Sequence, residues 1–285
     1  MRSATATETQ DLLSWESLGT RPATAAFRES LTELIARPRE FFSKMARRGG
    51  LHEPLTFFII LLCTIVVLSF PAALAHFGVT APDPAAEPAA YRAQQVPAQV
   101  TGLLLVLLPL AAVVAAALTV VLGSLFHAPG KLFAPTNWEG SVSVWLYSVA
   151  GALAPVACAT ALVLVVSLPG YLLTLLAPAT EGALAPIVKW WAYILLPLSA
   201  LAGVVLLLRG LIVGCINAFE TDAGVGLALA LSGLLLVLVL VGGAISAFLW
   251  WTFTAGLIIT AAVLVLGVVL TVSSFMFSRR VRESA

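Results

Sequence analysis

Residues 223–278 read AGVGLALALSGLLLVLVLVGGAISAFLWWTFTAGLIITAAVLVLGVVLTVSSFMFS and contain no ionisable side chain. A helix needs about 20 apolar residues to cross the hydrocarbon core of a bilayer. At about 1.5 Å per residue, one straight helix of this length would overshoot that core more than twofold. The stretch therefore predicts two membrane-spanning helices with a turn near Ser246–Trp251, where Trp250 and Trp251 suit the headgroup region.

The composition of the whole chain also indicates a membrane protein. Hydrophobic residues fill 60% of the 285 positions and charged residues only 10%, whereas soluble domains carry roughly 25% charged residues. We therefore predict an all-α fold, a polytopic bundle of about six transmembrane helices, with five as the alternative. The spans are expected at residues 55–77, 100–124, 142–168, 188–208, 225–246 and 252–277.

Segments rich in turn-forming residues separate the first four spans. Residues 78–97 contain four prolines, and residues 127–140 contain two prolines and a glycine next to one of them. Residues 169–187 begin with a proline and are expected to enter the interface as a short helix, and residues 209–223 form a polar exit. The bundle thus covers residues 51–278. A flexible tail at 1–20 and an amphipathic segment at 21–50 precede it, and a basic tail at 279–285 follows.

The distribution of positive charge predicts the orientation of the chain. Eight of the 15 Lys and Arg residues precede residue 54, and three close the chain. With six spans, 13 of the 15 lie on the side of the N-terminus, and Arg92 and Lys189 lie on the other side. Because cytoplasmic loops carry an excess of Lys and Arg, we expect both termini in the cytoplasm.

An amphipathic pattern precedes the first span. Phe27, Leu31, Leu34 and Ile35 follow the i, i+4, i+7, i+8 spacing that is typical of one helical face. Pro38 interrupts this pattern, and an apolar stripe with basic neighbours then resumes. The apolar members of that stripe are Phe41, Phe42 and Met45, and the basic ones are Arg37, Arg39, Lys44, Arg47 and Arg48.

This pattern predicts a cytoplasmic amphipathic helix in the membrane interface, with its aromatic rings in the acyl boundary and its bases among anionic head groups. The alternative is that these bases are ordinary topogenic charges on a cytoplasmic tail. The candidate residues for binding lipid or a protein partner are Phe27, Leu31, Arg37, Arg39, Phe41, Phe42, Lys44, Met45, Arg47 and Arg48.

The predicted spans carry no recognisable catalytic chemistry. Their centres hold no ionisable residue, which argues against transport through a charge relay. The sequence contains no HExxH, no GxSxG and no phosphate-binding loop. Gly140-Ser141 has no histidine in a later span to act as its base, and His52, His76 and His127 show no metal-ligand spacing. We therefore predict that the protein is not an enzyme and uses neither a metal nor another cofactor.

Small residues four positions apart indicate close helix packing. Such pairs favour contacts within the chain, and a homo-oligomer is the alternative. Pro155 and Pro197 fall in adjacent predicted spans, where they would kink the helices and could outline a shared cavity. The small-residue pairs are Ala112/Ala116, Ala150/Ala154, Ser199/Gly203 and Gly226/Ala230.

Short motifs across residues 15–245 carry a family resemblance. They are Trp15-Glu16 with Gly19 and Phe27; Arg37-Pro38-Arg39-Glu40-Phe41-Phe42 with Met45, Gly49-Gly50 and Glu53-Pro54-Leu55; Glu139-Gly140-Ser141 with Trp145-Leu146-Tyr147-Ser148; and Trp190-Trp191 with Leu208-Arg209-Gly210-Leu211 and Ala218-Phe219-Glu220. Together they resemble the Yip (Ypt/Rab-interacting protein) family, in particular its bacterial branch.

The resemblance implies a helical membrane protein that is not an enzyme, and the bacterial branch implies a bacterial cytoplasmic membrane. Eukaryotic members bind lipidated small GTPases and shape or sort vesicle membranes. The chain departs from the family in two respects. Members commonly have five spans, so residues 252–277 would be an addition, and Asn217–Glu220 occupies a polar exit where the family often has a histidine.

We therefore predict a membrane scaffold or adaptor that engages anionic lipid or a protein partner through residues 27–45. One alternative is a channel or permease for a small neutral or lipid-like substrate, which the prolines within the spans and residues 169–187 motivate. Another is an accessory subunit of a larger membrane complex. The net charge of +1 gives no bias toward nucleic acid.

Overall fold

A computed structural model of the chain describes residues 22–45, 50–82, 85–129, 137–176 and 185–250, together with Ala261, Ala262 and Val265. The regular structure of this part is helical, which confirms the predicted all-α class. In chain order the helices are α1 (Ala23–Ala36), α2 (Pro38–Lys44), α3 (His52–Thr80), α4 (Pro88–Val106), α5 (Leu108–His127), α6 (Trp138–Leu176), α7 (Ala185–Ala218) and α8 (Ala223–Trp250).

Five of these helices, α3, α5, α6, α7 and α8, are long and apolar enough to cross a membrane. Only 22% to 33% of each apolar window is buried inside the protein. Most of each apolar surface therefore faces outward, which is stable only when lipid surrounds the helices. The chain is a multi-pass integral membrane protein. The predicted sixth span at 252–277 lies outside the described residues, apart from three helical positions.

Several helices continue past the predicted ends of their spans. α6 runs through Pro169, so the expected separate interfacial segment does not begin there. α7 continues through Arg209 to Ala218, and α8 runs through Trp250 without the turn predicted from Ser246. Proline and polar residues are tolerated inside membrane helices because neighbouring helices can satisfy the freed backbone groups. Local composition alone therefore predicted helix ends that come before the observed ends in the sequence.

Helix α4 occupies much of the linker that was predicted over residues 78–97. It begins at Pro88, in the first helical turn, where the missing proline N–H costs no hydrogen bond. Pro97 lies inside the helix. Leu107 is the single residue between α4 and α5. Its N–H donates to the Leu103 carbonyl at 2.9 Å, which continues the helical hydrogen bonding of α4.

The turn between α7 and α8 is a Schellman motif. The Thr221 N–H donates to the Ile216 carbonyl at 3.1 Å, and the Thr221 hydroxyl donates to the Cys215 carbonyl at 3.2 Å. Glu220 adopts a left-handed conformation with φ of 51°. Glycine usually fills this position, because a side chain costs roughly 1–2 kcal/mol there.

We expect the Glu220→Gly variant to be more stable than Glu220→Ala by about 1 kcal/mol, because glycine relieves the backbone strain that alanine retains. Both substitutions remove the same carboxylate, so the difference between them isolates the backbone contribution. Thermal unfolding of the two variants in one detergent measures it. Equal midpoints would show that the turn is not strained at this residue.

The chain divides into two compact units. Unit 1 comprises Met1–Phe57, Leu118–Ser148 and Leu208–Ala285, and unit 2 comprises Phe58–Ala117 and Val149–Leu207. In unit 1 every residue from Trp138 to Ser148 is buried, so the start of α6 is the centre of that unit.

Small residues hold the helices of unit 2 close together. Ala72, Val163 and Ala192 join α3, α6 and α7 in one buried cluster. A Cβ built on Gly203 would lie 2.6 Å from the carbonyl oxygen of Ala152, so α7 and α6 are in backbone contact there. All four predicted small-residue pairs of the chain are buried inside it, which confirms their role in packing within the chain.

Candidate functional site

The helical pair formed by α1 and α2 contains the described part of the predicted amphipathic segment. The two helices meet at Arg37, whose N–H donates to the Glu33 carbonyl at 2.7 Å. Pro38 then starts α2, since a proline in the first turn needs no N–H partner. The predicted helix and its interruption at Pro38 are therefore both confirmed.

Aromatic side chains pack the helical pair against the rest of unit 1. The centroid of the Phe41 ring lies 4.9 Å from that of the Tyr147 ring in α6, and the two rings are nearly perpendicular. The centroids of Phe41 and Phe42 are 5.3 Å apart. Phe27 lies 4.7 Å from Phe57 in α3, and Phe57 lies 5.5 Å from Tyr147. Ring contacts at these distances stabilise the packing beyond the free energy of burying the rings. Tyr147 thus joins α2 and α3 at the centre of unit 1.

A glycine in α7 makes room for this packing. A Cβ built on Gly214 would lie 2.6 Å from Val144 Cγ1 and 3.2 Å from Phe42 Cε1. Any larger residue would therefore displace the Phe42 ring or separate α7 from α6. The fit of Phe42 against α7 depends on the absence of a side chain at this position.

A hydrogen bond from Arg209 ties α7 to the end of α1. Its guanidinium Nη1 donates to the Ile35 carbonyl at 3.0 Å, across 174 positions of sequence. The last carbonyls of a helix have no partner within the helix, and they carry the negative end of its dipole. A guanidinium satisfies both the hydrogen bond and the charge. Arg209, which sequence reasoning treated as a residue at a span end, helps to fix α1.

The outer surface of the pair is charged, and it carries both signs. Lys44 Nζ lies 2.6 Å from Glu33 Oε1, and Arg37 Nη1 lies 3.6 Å from Glu40 Oε2. These pairs border a groove of about 610 Å³. We call this groove with its rim the charged face, and it is lined by Ala25, Arg28, Glu29, Thr32, Glu33, Ala36, Arg37, Glu40 and Lys44.

The structure separates the predicted site residues into three groups. Arg37 and Arg39 are exposed, and Phe27, Leu31 and Lys44 are partly buried. Phe41, Phe42 and Met45 are 0%, 0% and 3% exposed, so the expectation that the Phe41 and Phe42 rings enter the acyl boundary is wrong. Phe41 packs instead against Tyr147 in α6, and Phe42 packs beside Gly214 in α7. Arg47 and Arg48 lie outside the described residues.

Sequence reasoning missed a set of buried polar contacts that fix the start of α6. The Gly140 N–H donates to Asn137 Oδ1 at 2.7 Å, so Asn137 caps the helix. The Ser141 hydroxyl donates to the Asn137 carbonyl at 3.0 Å, and His127 Nδ1 lies 2.9 Å from the same hydroxyl oxygen. The Ser141 hydroxyl therefore joins the end of α5 to the first turn of α6. The asparagine before Trp138-Glu139 was the signal for this cap.

A parallel contact joins the end of α5 to the same turn of α6. The Trp138 indole N–H donates to Ser124 Oγ at 3.0 Å, and the Ser124 hydroxyl donates to the Val120 carbonyl at 2.9 Å. Buried polar groups that are satisfied in this way specify one arrangement of the helices. The two sets of bonds therefore hold in register the helix that carries Tyr147.

Within the described ranges, no three His, Cys, Asp or Glu side chains come together in a way that could hold a metal ion. Cys63, Cys158 and Cys215 are free thiols. In comparisons with known proteins, no family model, no curated protein and no solved structure matches this chain. The resemblance to the Yip family therefore stays a prediction from short motifs.

Proposed function

We propose that the protein is a non-enzymatic membrane scaffold or adaptor that engages a protein partner through the charged face. The observation that carries this proposal is the docking of the helical pair on unit 1. The aromatic residues and Arg209 fix one side of the pair, and the other side remains accessible with its charged residues. A fixed surface loses little conformational entropy when a partner binds, which favours recognition.

The charge pattern favours a protein over an anionic lipid surface as the partner. The charged face holds three basic residues (Arg28, Arg37, Lys44) and three acidic residues (Glu29, Glu33, Glu40). An anionic membrane attracts basic residues and repels acidic ones. A surface with both signs instead matches the mixed potential of another protein surface, where complementary charges set specificity.

The proposal includes a location. The excess of basic residues near the N-terminus supports a cytoplasmic charged face, and the bacterial branch of the resembled family supports a bacterial cytoplasmic membrane. The alternative function, a channel, is not supported between α6 and α7. The contact of Gly203 with the Ala152 carbonyl leaves no space for a solute at that level.

Photo-crosslinking in cells tests the proposed partner surface. A crosslinker at the exposed Thr32 is expected to capture one dominant protein, while a crosslinker at Leu34, buried on the opposite side of α1, captures none. The Arg28→Glu, Arg37→Glu double variant should reduce capture at least fivefold, since it places like charges against the partner. Arg92→Glu, an exposed charge reversal in unit 2, is the matched control and should leave capture unchanged.

Two outcomes would contradict the proposal. Lipid adducts from Thr32, with no protein above the Leu34 background, would identify the pair as an interfacial anchor. Capture that persists in the double variant would show that the charged face does not select the partner.

A further inference from the structure

The first turns of α7 carry a second polar feature. Lys189, Trp190 and Tyr193 line a pocket of about 410 Å³ together with Ala185 and Pro186. Residues three or four positions apart share a helix face, so Tyr193 lies beside both Lys189 and Trp190. The pocket therefore combines an ammonium group, an indole N–H and a phenol hydroxyl, which are three kinds of donor for an anion.

The length of α7 places this pocket at the edge of the hydrocarbon. Lys189 and Arg209 are 20 residues apart on one continuous helix, which is about 30 Å and matches the thickness of the hydrocarbon core. The two basic residues thus flank the apolar part of the span. Trp190 and Tyr193 are 67% and 69% exposed, and exposed Trp and Tyr side chains favour the headgroup level.

Lys189 has no ionic partner in the part of the chain that the structure describes. Its side chain is half-buried, and no hydrogen bond or ion pair reaches it there. Glu87 is the acidic residue of unit 2 within that part, and it is exposed. The Nδ1 atom of His76 in α3 is also buried, and among the described residues it has no hydrogen-bond partner.

Within the described residues the half-buried ammonium of Lys189 has no counterion, and a charge in that state is costly at the edge of a membrane. An anion from outside the chain would remove that cost. The bilayer supplies such an anion at this depth, in the phosphate of its lipids. The exposed Ile194 and Leu198 continue along α7 from the pocket toward the middle of the span, so they offer a surface for an acyl chain.

We propose that Lys189, Trp190 and Tyr193 bind the headgroup phosphate of an anionic phospholipid, in the leaflet that meets the start of α7. The ammonium group of Lys189 supplies the charge, and Trp190 and Tyr193 donate hydrogen bonds to the phosphate oxygens. This site shares no residue with the charged face. Its test is therefore independent of the proposed function.

Native mass spectrometry of the purified full chain in a neutral detergent tests this site. The protein is titrated with phosphatidylglycerol, which is anionic, and with phosphatidylcholine, which is zwitterionic. We expect Lys189→Gln to weaken binding of the first phosphatidylglycerol about fivefold, the change that corresponds to about 1 kcal/mol per basic residue. Lys189→Arg should retain binding, and Arg92→Gln, which removes an exposed base outside the pocket, should leave it unchanged.

Three results would overturn the proposal. Equal binding by the wild type and Lys189→Gln would mean that the residues serve only as interfacial anchors. Equal affinity for the two lipids in the wild type would mean that the pocket does not select anionic lipids. Displacement of the lipid by millimolar inorganic phosphate would assign the pocket to a free anion. Loss in Lys189→Gln with no displacement by phosphate supports the lipid site.

Discussion

Replacing Phe41 with alanine is expected to release the helical pair from unit 1. The Phe41 ring is fully buried and contacts both Tyr147 and Phe42. Truncation of a buried phenylalanine typically costs 3–5 kcal/mol, from lost burial and from the cavity that remains. Because the cost falls on the docking of α1 and α2, amide hydrogen exchange in these two helices should accelerate by about two to four orders of magnitude.

Arg39→Ala is the matched control, since Arg39 lies in the same short helix and its side chain is exposed. Its exchange rates should stay within about threefold of the wild type. Exchange can be followed by mass spectrometry in detergent. If Phe41→Ala exchanged like Arg39→Ala, the ring would not hold the pair, and the interpretation of Phe41 as an interfacial residue would regain support.

Replacing Gly203 with alanine is expected to separate α6 from α7. The added Cβ would lie 2.6 Å from the Ala152 carbonyl oxygen, which is backbone and cannot rotate away. Overpacking of this kind costs about 1–3 kcal/mol, which corresponds to roughly 3–10 °C in the midpoint of thermal unfolding. The effect is large for the addition of one methyl group because a whole helix must move.

Gly242→Ala makes the same chemical change where no atom of the described residues lies within 4 Å of the new Cβ. Its midpoint should differ from the wild type by less than about 1 °C. Thermal unfolding of the purified variants in one detergent compares the two substitutions directly. Equal midpoints for Gly203→Ala and Gly242→Ala would show that the crossing of α6 and α7 is loose.

Hydrophobicity predicted the helical spans because the apolar length that a span needs can be read from the sequence of that span alone. A helix that faces lipid needs a long apolar sequence, and the predicted span at 55–77 accordingly lies inside α3. The ends of helices were harder to predict, because a neighbouring helix can satisfy a polar residue or a freed carbonyl. Arg209 is an example. It is a charged residue inside α7, and its guanidinium donates a hydrogen bond to the carbonyl of Ile35, which is 174 positions away in the sequence.

The candidate site was predicted in part. The spacing of Phe27, Leu31, Leu34 and Ile35 correctly indicated a helix with one apolar face, and Pro38 correctly indicated its end. Periodicity shows which residues share a face, but it does not show whether lipid or protein covers that face. The partner of Phe41 is Tyr147, and no local pattern connects two residues so distant in the chain.

The length of α6 also has a consequence for the surrounding bilayer. Its 39 residues extend about 58 Å, whereas a bilayer with its headgroups is about 40–45 Å thick. Even a tilt of about 40°, at the upper end of the observed range, leaves a vertical extent near 45 Å, which is about 15 Å more than the hydrocarbon core of about 30 Å. Such hydrophobic mismatch costs fractions of a kcal/mol per ångström, and the cost falls as the membrane thickens. Membrane thickness can therefore influence where this protein accumulates.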